Sequence, residues 1–221
     1  MEKKSGRYEA SGIHTIDMKI DCGELVISEA EDITQICIEA EVDENDIYEE
    51  YVDNGKLKIR YKRRKRWFNI GENRVYISIQ LPKEKQFERF SLKIGAGNAD
   101  LSPLALFCKR LELEVGAGNI DMGTAKIQDM LNVKIGAGDI NLQKAMVENV
   151  KVECGVGNCY LRLAGKENDY NYIISCGVGK IKINDSYKKQ IGGSESRRNA
   201  GAIGNVELSC GVGEIELYTE G

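Results

Sequence analysis

Histidine is almost missing from this chain: His14 is the only one in 221 residues. Multi-histidine metal centres are thereby excluded, and no His-based triad is expected. Proline is nearly as scarce, with 2 residues against 24 glycines. Such glycines mark regularly placed backbone turns rather than a Pro/Gly linker. No apolar run approaches the roughly 20 residues needed to cross a bilayer as a helix. The amino terminus, MEKKSGRYEASGIHTIDM, starts basic but has no apolar stretch behind it, so it does not read as a signal peptide. The chain reads either as cytoplasmic or as an envelope-facing soluble domain separated from a membrane anchor. An excess of one charge sign is also missing: the net charge is −4, which predicts no nucleic-acid partner. The seven cysteines (Cys22, Cys37, Cys108, Cys154, Cys159, Cys176, Cys210) contain no CxxC pair and are odd in number. Zinc spacing and a secreted disulfide framework are both absent, and reduced, buried thiols are expected.

What the chain does have is a repeat. IGAGNADL (94–101), VGAGNIDM (115–122) and IGAGDINL (135–142) are near copies, and CGVGNCYL (154–161), CGVGKIKI (176–183) and CGVGEIEL (210–217) continue them. The first glycines, Gly95, Gly116, Gly136, Gly155, Gly177 and Gly211, step by 21, 20, 19, 22 and 34 residues. IDCGELVI (20–27) is a degraded seventh copy, with Gly23 in the place of the second glycine.

Apolar residues alternate before each motif and again after it, in the opposite parity: Leu111, Leu113, Val115, then Ile120, Met122. Period 2 on both sides marks strands with one buried face. The parity change needs an extra residue at a bend, which steps such as Gly97-Asn98, Gly118-Asn119 and Gly157-Asn158 supply, because glycine and asparagine tolerate positive φ. Each repeat is then strand, corner, strand and return strand, and stacks on the next at roughly 4.8 Å. Three inward ladders are expected: Ile94, Val115, Ile135, Cys154, Cys176, Cys210; Ala96, Ala117, Ala137, Val156, Val178, Val212; and Ala99, Ile120, Ile140, Cys159, Ile181, Ile215. No window shows helical spacing. The fold class is all-β, a single-stranded β-solenoid with coils of about 20 residues. The whole chain, 1–221, reads as one solenoid domain. Residues 14–90 are read as irregular coils, 91–219 as regular repeats, and 187–205 as a loop projecting from the wall.

The repeated G-A/V-G-N/D-I-x-L motif and the closing SCGVGEIELY resemble the bacterial "putative adhesin" domain family, β-solenoid domains of unknown function. The resemblance covers residues 14 to 219 and is nearest in CGVGKIKIND and SCGVGEIEL. It implies an architecture and brings no catalytic residues with it. It also implies a place near the cell envelope, since members of that family sit behind membrane segments or beside envelope-stress systems.

Each chemical reading of the repeat has a plainer rival. A dinucleotide loop needs a helix after its glycines, and none follows. Calcium β-rolls need a nine-residue period, and only Asp100 and Asp121 hold the matching position. Asn98, Asn119, Asp139 and Asn158 read as a corner ladder, with a ligand stripe as the alternative. Cys154, Cys176 and Cys210 read as buried rungs, with a disulfide or soft-metal site as the alternative. The sharpest charge feature is KIRYKRRKRWF. Lys62, Arg63, Arg64, Lys65, Arg66 and Trp67 form a candidate interaction surface, set against the acidic stretch 39–53 of a neighbouring strand. No catalytic, metal-binding or cofactor-binding residue is assigned, and no cofactor is expected. The expected function is a non-catalytic, adhesin-like structural or interaction module, envelope-associated. Its partner would be a protein, an envelope polymer or an anionic lipid surface, with a homo-oligomer contact through the solenoid end. The alternatives are a regulatory domain of an envelope-stress system and a carbohydrate-active β-helix enzyme.

Overall fold

A computed structural model describes residues 1–64, 75–184, 187–190 and 192–220, most of them strand. In chain order the strands are β1 (Glu2–Glu9), β2 (Thr15–Ala30), β3 (Gln35–Val42), β4 (Ile47–Asp53), β5 (Lys56–Lys62), β6 (Tyr76–Pro82) and β7 (Gln86–Met146). They continue as β8 (Asn149–Ala164), β9 (Tyr170–Cys176), β10 (Lys180–Ile183), β11 (Tyr187–Gln190), β12 (Ser194–Arg197) and β13 (Gly204–Glu220). The sheet they form is a coil with three walls. Within β7, Leu111, Leu113 and Val115 are buried on the first wall, Ile120 and Met122 on the second, and Ala125 and Ile127 on the third. The inward parity switches at two corners, from 115 to 120 and from 122 to 125, and is kept across the third, from 127 to 131. The side chains so enclosed form one core running from Ala10 to Leu217. Each of its larger aliphatic members contributes roughly 1.5–3 kcal/mol.

Two of the three expected ladders face inward. The Ala96 to Val212 series does not. Val156, Val178 and Val212 are 55%, 71% and 51% exposed, and the alanines stand out beside them. The corner itself is the reason. Between Ile94 and Ala99, residues 95–98 all lie on the outside of the bend, so the middle residue of G-x-G rides the crest.

Both glycines of the pair are needed, for different reasons. Gly118 has φ +128°, and a Cβ there would collide with the Gly97 carbonyl oxygen of the coil below. Gly136 is a first glycine with no positive φ, but its Cβ would lie 2.6 Å from the Gly116 carbonyl oxygen.

At the amino-terminal end β2 is a true first coil: Ile16 pairs with Phe90, Ile20 with Ile94 and Gly23 with Gly97. The strands expected as further coils join the same sheet differently. β5 pairs parallel with the start of β2 and β4 antiparallel with β5, prolonging the first wall. β6 pairs parallel with the end of β2, and β3 and β1 follow antiparallel, prolonging the second. The turn at Asn54 (φ 47°) and Gly55 (φ 71°) enforces the β4–β5 reversal, since positive φ at two successive turn residues is the tight-hairpin geometry.

The carboxy-terminal end departs from sequence order. β13 pairs parallel with β8 on one side and with β9 and β10 on the other. The last repeat thus lies between the fifth and sixth, and the cysteine rung runs Cys154, Cys210, Cys176. The 187–205 segment is no projecting loop. β11 runs antiparallel on β10 and β12 antiparallel on β9, with Gly192 and Gly193 bonded across the corner to Gly177 and Cys176. It retraces the sixth coil backwards and covers its edge.

Candidate interaction surface

The basic segment grows out of β5. Strand alternation buries Leu57, Ile59 and Tyr61 and turns Lys56, Lys58, Arg60 and Lys62 outward. Neighbouring coils add Arg89, Lys109 and Arg110, which with Lys56, Glu88 and Asp129 border a shallow depression of about 430 Å³. Acidic partners hold several of these side chains in place. Lys58 lies 2.9 Å from Asp53, and Arg60 lies 2.8 Å from Asp17 while also donating to the Asp17 carbonyl at 2.7 Å. The ammonium group of Lys58 holds the Asp53 carboxyl below the ordinary carboxylate range.

Beyond β5, Arg63 and Arg64 continue on the surface. Asp46 anchors their root: it accepts the Arg64 backbone N–H at 3.1 Å and the Tyr61 hydroxyl. Lys62, Arg63 and Arg64 are all exposed. Lys65, Arg66 and Trp67 lie outside the described residues. The 47–53 part of the acidic stretch is the antiparallel neighbour expected for it, with Asp53 opposite Lys56 and Glu49 opposite Arg60, while Glu39 and Glu41 lie on β3 in the other wall.

The other candidates resolve into structure. Cys154, Cys176 and Cys210 are buried in register, with Cys159 behind them, and all seven cysteines are free thiols. Burial pushes the Cys154 thiol up to about 11, with the Cys210 thiol beside it adding to the shift, and burial alone pushes Cys108 up to about 12. Neutral thiols in apolar surroundings are poor nucleophiles and poor metal ligands. At the corner, Asp139 accepts from the Asn158 backbone at 2.9 Å and from its side chain at 2.8 Å, as a ladder requires. Asp100 and Asp121 are engaged by Ser102 and Asn141. His14 packs against the Gly55 turn and donates its backbone N–H to the Gly55 carbonyl at 2.9 Å.

A second ladder escaped sequence reasoning. On the first wall Asn171 donates to Asn205 at 3.3 Å, Asn205 to Asn149 at 3.2 Å, and Asn149 to the Asp129 carbonyl at 3.2 Å. Its signal was available: an asparagine stands five residues ahead of Cys-Gly in NVKVECG, NYIISCG and NVELSCG.

These features define a capped, three-walled β-solenoid whose polar columns are satisfied along the stacking axis. The chain belongs to the Toastrack DUF4097 family, whose model matches residues 13–162. The matched span ends where the coils cease to stack in sequence order. Among solved structures, a "putative cell adhesion protein" from Clostridium sporogenes is 20% identical over 99% of both chains, with a TM-score of 0.52. It shares the fold through the carboxy-terminal coils as well. A "putative adhesin" from Bacteroides fragilis is 10% identical, covering 98% of this chain and 97% of that one, with a TM-score of 0.39. Another from Parabacteroides distasonis is 10% identical over 99% and 97%, with a TM-score of 0.40. No curated protein matches this chain.

Proposed function

We propose that this protein is a non-catalytic, adhesin-like interaction module at the cell envelope, and that it engages an anionic surface through the basic segment Lys62–Trp67. The observation that carries the reading is the outward row Lys56, Lys58, Arg60 and Lys62, continuous with exposed Arg63 and Arg64 at one end of a stiff rod. The rod suits such a role: a continuous core fixes the β5 row relative to the rest of the molecule. Although the whole chain carries −4, fields are screened beyond about 8 Å at physiological salt, so a local cluster dominates at contact. Each lysine or arginine near an anionic membrane is worth about 1 kcal/mol.

Co-sedimentation with vesicles rich in phosphatidylglycerol, and in parallel with a soluble anionic phosphate polymer, tests the reading. Vesicle binding that weakens with salt and falls at least tenfold in the K62Q/R63Q/R64Q/K65Q/R66Q variant is expected. Binding to neither anion, or binding that the variant retains, would refute it.

A further inference from the structure

β13 follows every other described strand in sequence and yet lies inside the sheet, between β8 and β10. Asn205–Glu220 pairs with Asn149–Ala164 on one edge, while Gly204–Cys210 and Glu214–Leu217 pair with β9 and β10 on the other. Until β13 docks, β8 and the sixth coil face each other across a slot one strand wide, with both edges unpaired.

The slot and its occupant carry opposite charges. β13 contains Glu207, Glu214, Glu216 and Glu220 and no lysine or arginine. Lys151 lies 3.3 Å from Glu207, Lys144 lies 2.8 Å from Glu220, and Lys180 pairs with Glu214 and lies 4.0 Å from Glu216. Lys182 donates to the Tyr218 hydroxyl at 2.9 Å. The lysines come from both sides of the slot, from β7 and β8 and from β10. An acidic strand therefore suits the slot, as the similarly acidic 111–122 repeat suits the lysines of its own neighbours.

The connection into β13 is an exposed segment, residues 198–203. It includes Gly201 at φ +85° and Ile203 at 66% exposure. Asn199, donating to the Tyr170 carbonyl at 2.6 Å, and Ile203, donating to the Asp169 carbonyl at 2.8 Å, hold it to the sixth coil.

We infer that β13 is an exchangeable strand, and that the lysine-lined slot of one copy accepts β13 of a second copy. Every backbone and ion-pair contact of β13 is then reproduced between chains, and only the 198–203 connection changes course. Exchange of an identical element is a low-cost route to a dimer, because no new interface has to be invented. A single strand that fills a slot between two others is suited to it.

The test uses the full chain. Equal amounts of unlabelled and ¹⁵N-labelled protein are loosened together in moderate urea at high concentration, returned to buffer and weighed by native mass spectrometry. Unlabelled, mixed and labelled dimers in statistical proportion are expected; monomer alone overturns the inference. A second arm pairs an E207K/E214K chain with a K151E/K180E chain. Each alone has like charges across its slot, and only exchange restores both Lys–Glu sets. The two together should give a one-to-one heterodimer more abundant than the wild-type dimer. A heterodimer no more abundant than that places any association on another surface and also overturns the inference. Should the doubly reversed chains fail to fold, an E214K chain mixed with a K180E chain replaces them and is read in the same way.

Discussion

A single added methyl group separates the two kinds of glycine in this chain. At Gly118 the backbone sits at φ +128°, and the neighbouring coil's carbonyl occupies the space a Cβ would need. Gly118→Ala is expected to cost at least about 3 kcal/mol, since strain and overpacking act together. At Gly12 nothing lies within 4 Å of an added Cβ, and Gly12→Ala should stay within about 0.5 kcal/mol of wild type. Urea unfolding of the pair checks both values; equal midpoints would remove the stacked-corner account.

The buried thiols make a second residue-scale prediction. Burial, above all, pushes the Cys108 and Cys154 thiols up from the ordinary 9.0 to about 12 and about 11. The folded state thus holds these protons while the unfolded chain releases them. Their stabilising contribution is complete below pH 9 and is lost as pH climbs toward 11 or 12. By pH 10 the loss is about 1 kcal/mol per thiol. Urea midpoints from pH 7 to pH 10.5 should therefore fall less steeply for Cys108→Val than for wild type. Parallel slopes would contradict the burial seen here.

At the scale of one element, β13 shows how a strand that bends also changes its inside. Val212 and Ile215 are three residues apart and of similar character, yet Val212 is 51% exposed and Ile215 fully buried. Ile215→Ala should cost about 2–5 kcal/mol, whereas Val212→Ser should cost under about 0.5 kcal/mol. Thermal or urea melts of the two variants decide it, and comparable losses would restore the inward position expected for Val212. That expectation carried strand alternation one residue into the corner. Ile94 and Ala99 gave the correct parity on either side, but alternation says nothing about four residues that all lie on the outside of a bend. The β4–β5 hairpin was legible: the acidic run reads as the neighbour of the basic strand by its opposite charge, and Asn54-Gly55 is a strong turn signal between the two. The antiparallel placement of β3 and β1 had no comparable local mark.

For the whole molecule, the problem is how a coil ends, because an open strand edge invites other chains. Here the amino-terminal end continues each of two walls with antiparallel strands, and the carboxy-terminal end is covered by a segment that runs backwards over the last coil. The basic segment was legible in the sequence as a charge run. Its outward row on β5 followed from alternation, and the acidic neighbour from the opposite charge of the preceding stretch. The slot that receives β13 was not legible, because the repeats read alike and nothing local says which two are neighbours.

The sequence by itself determined the coil: apolar residues at period 2 must be buried somewhere, and small residues at an interval near twenty tell the chain where to bend. Tertiary structure alone decided the order of the coils and the manner of their capping. Backbone pairing is indifferent to chain order, so the choice among equivalent edges lies in contacts between residues distant in sequence, the lysines of β7, β8 and β10 with the glutamates of β13 among them.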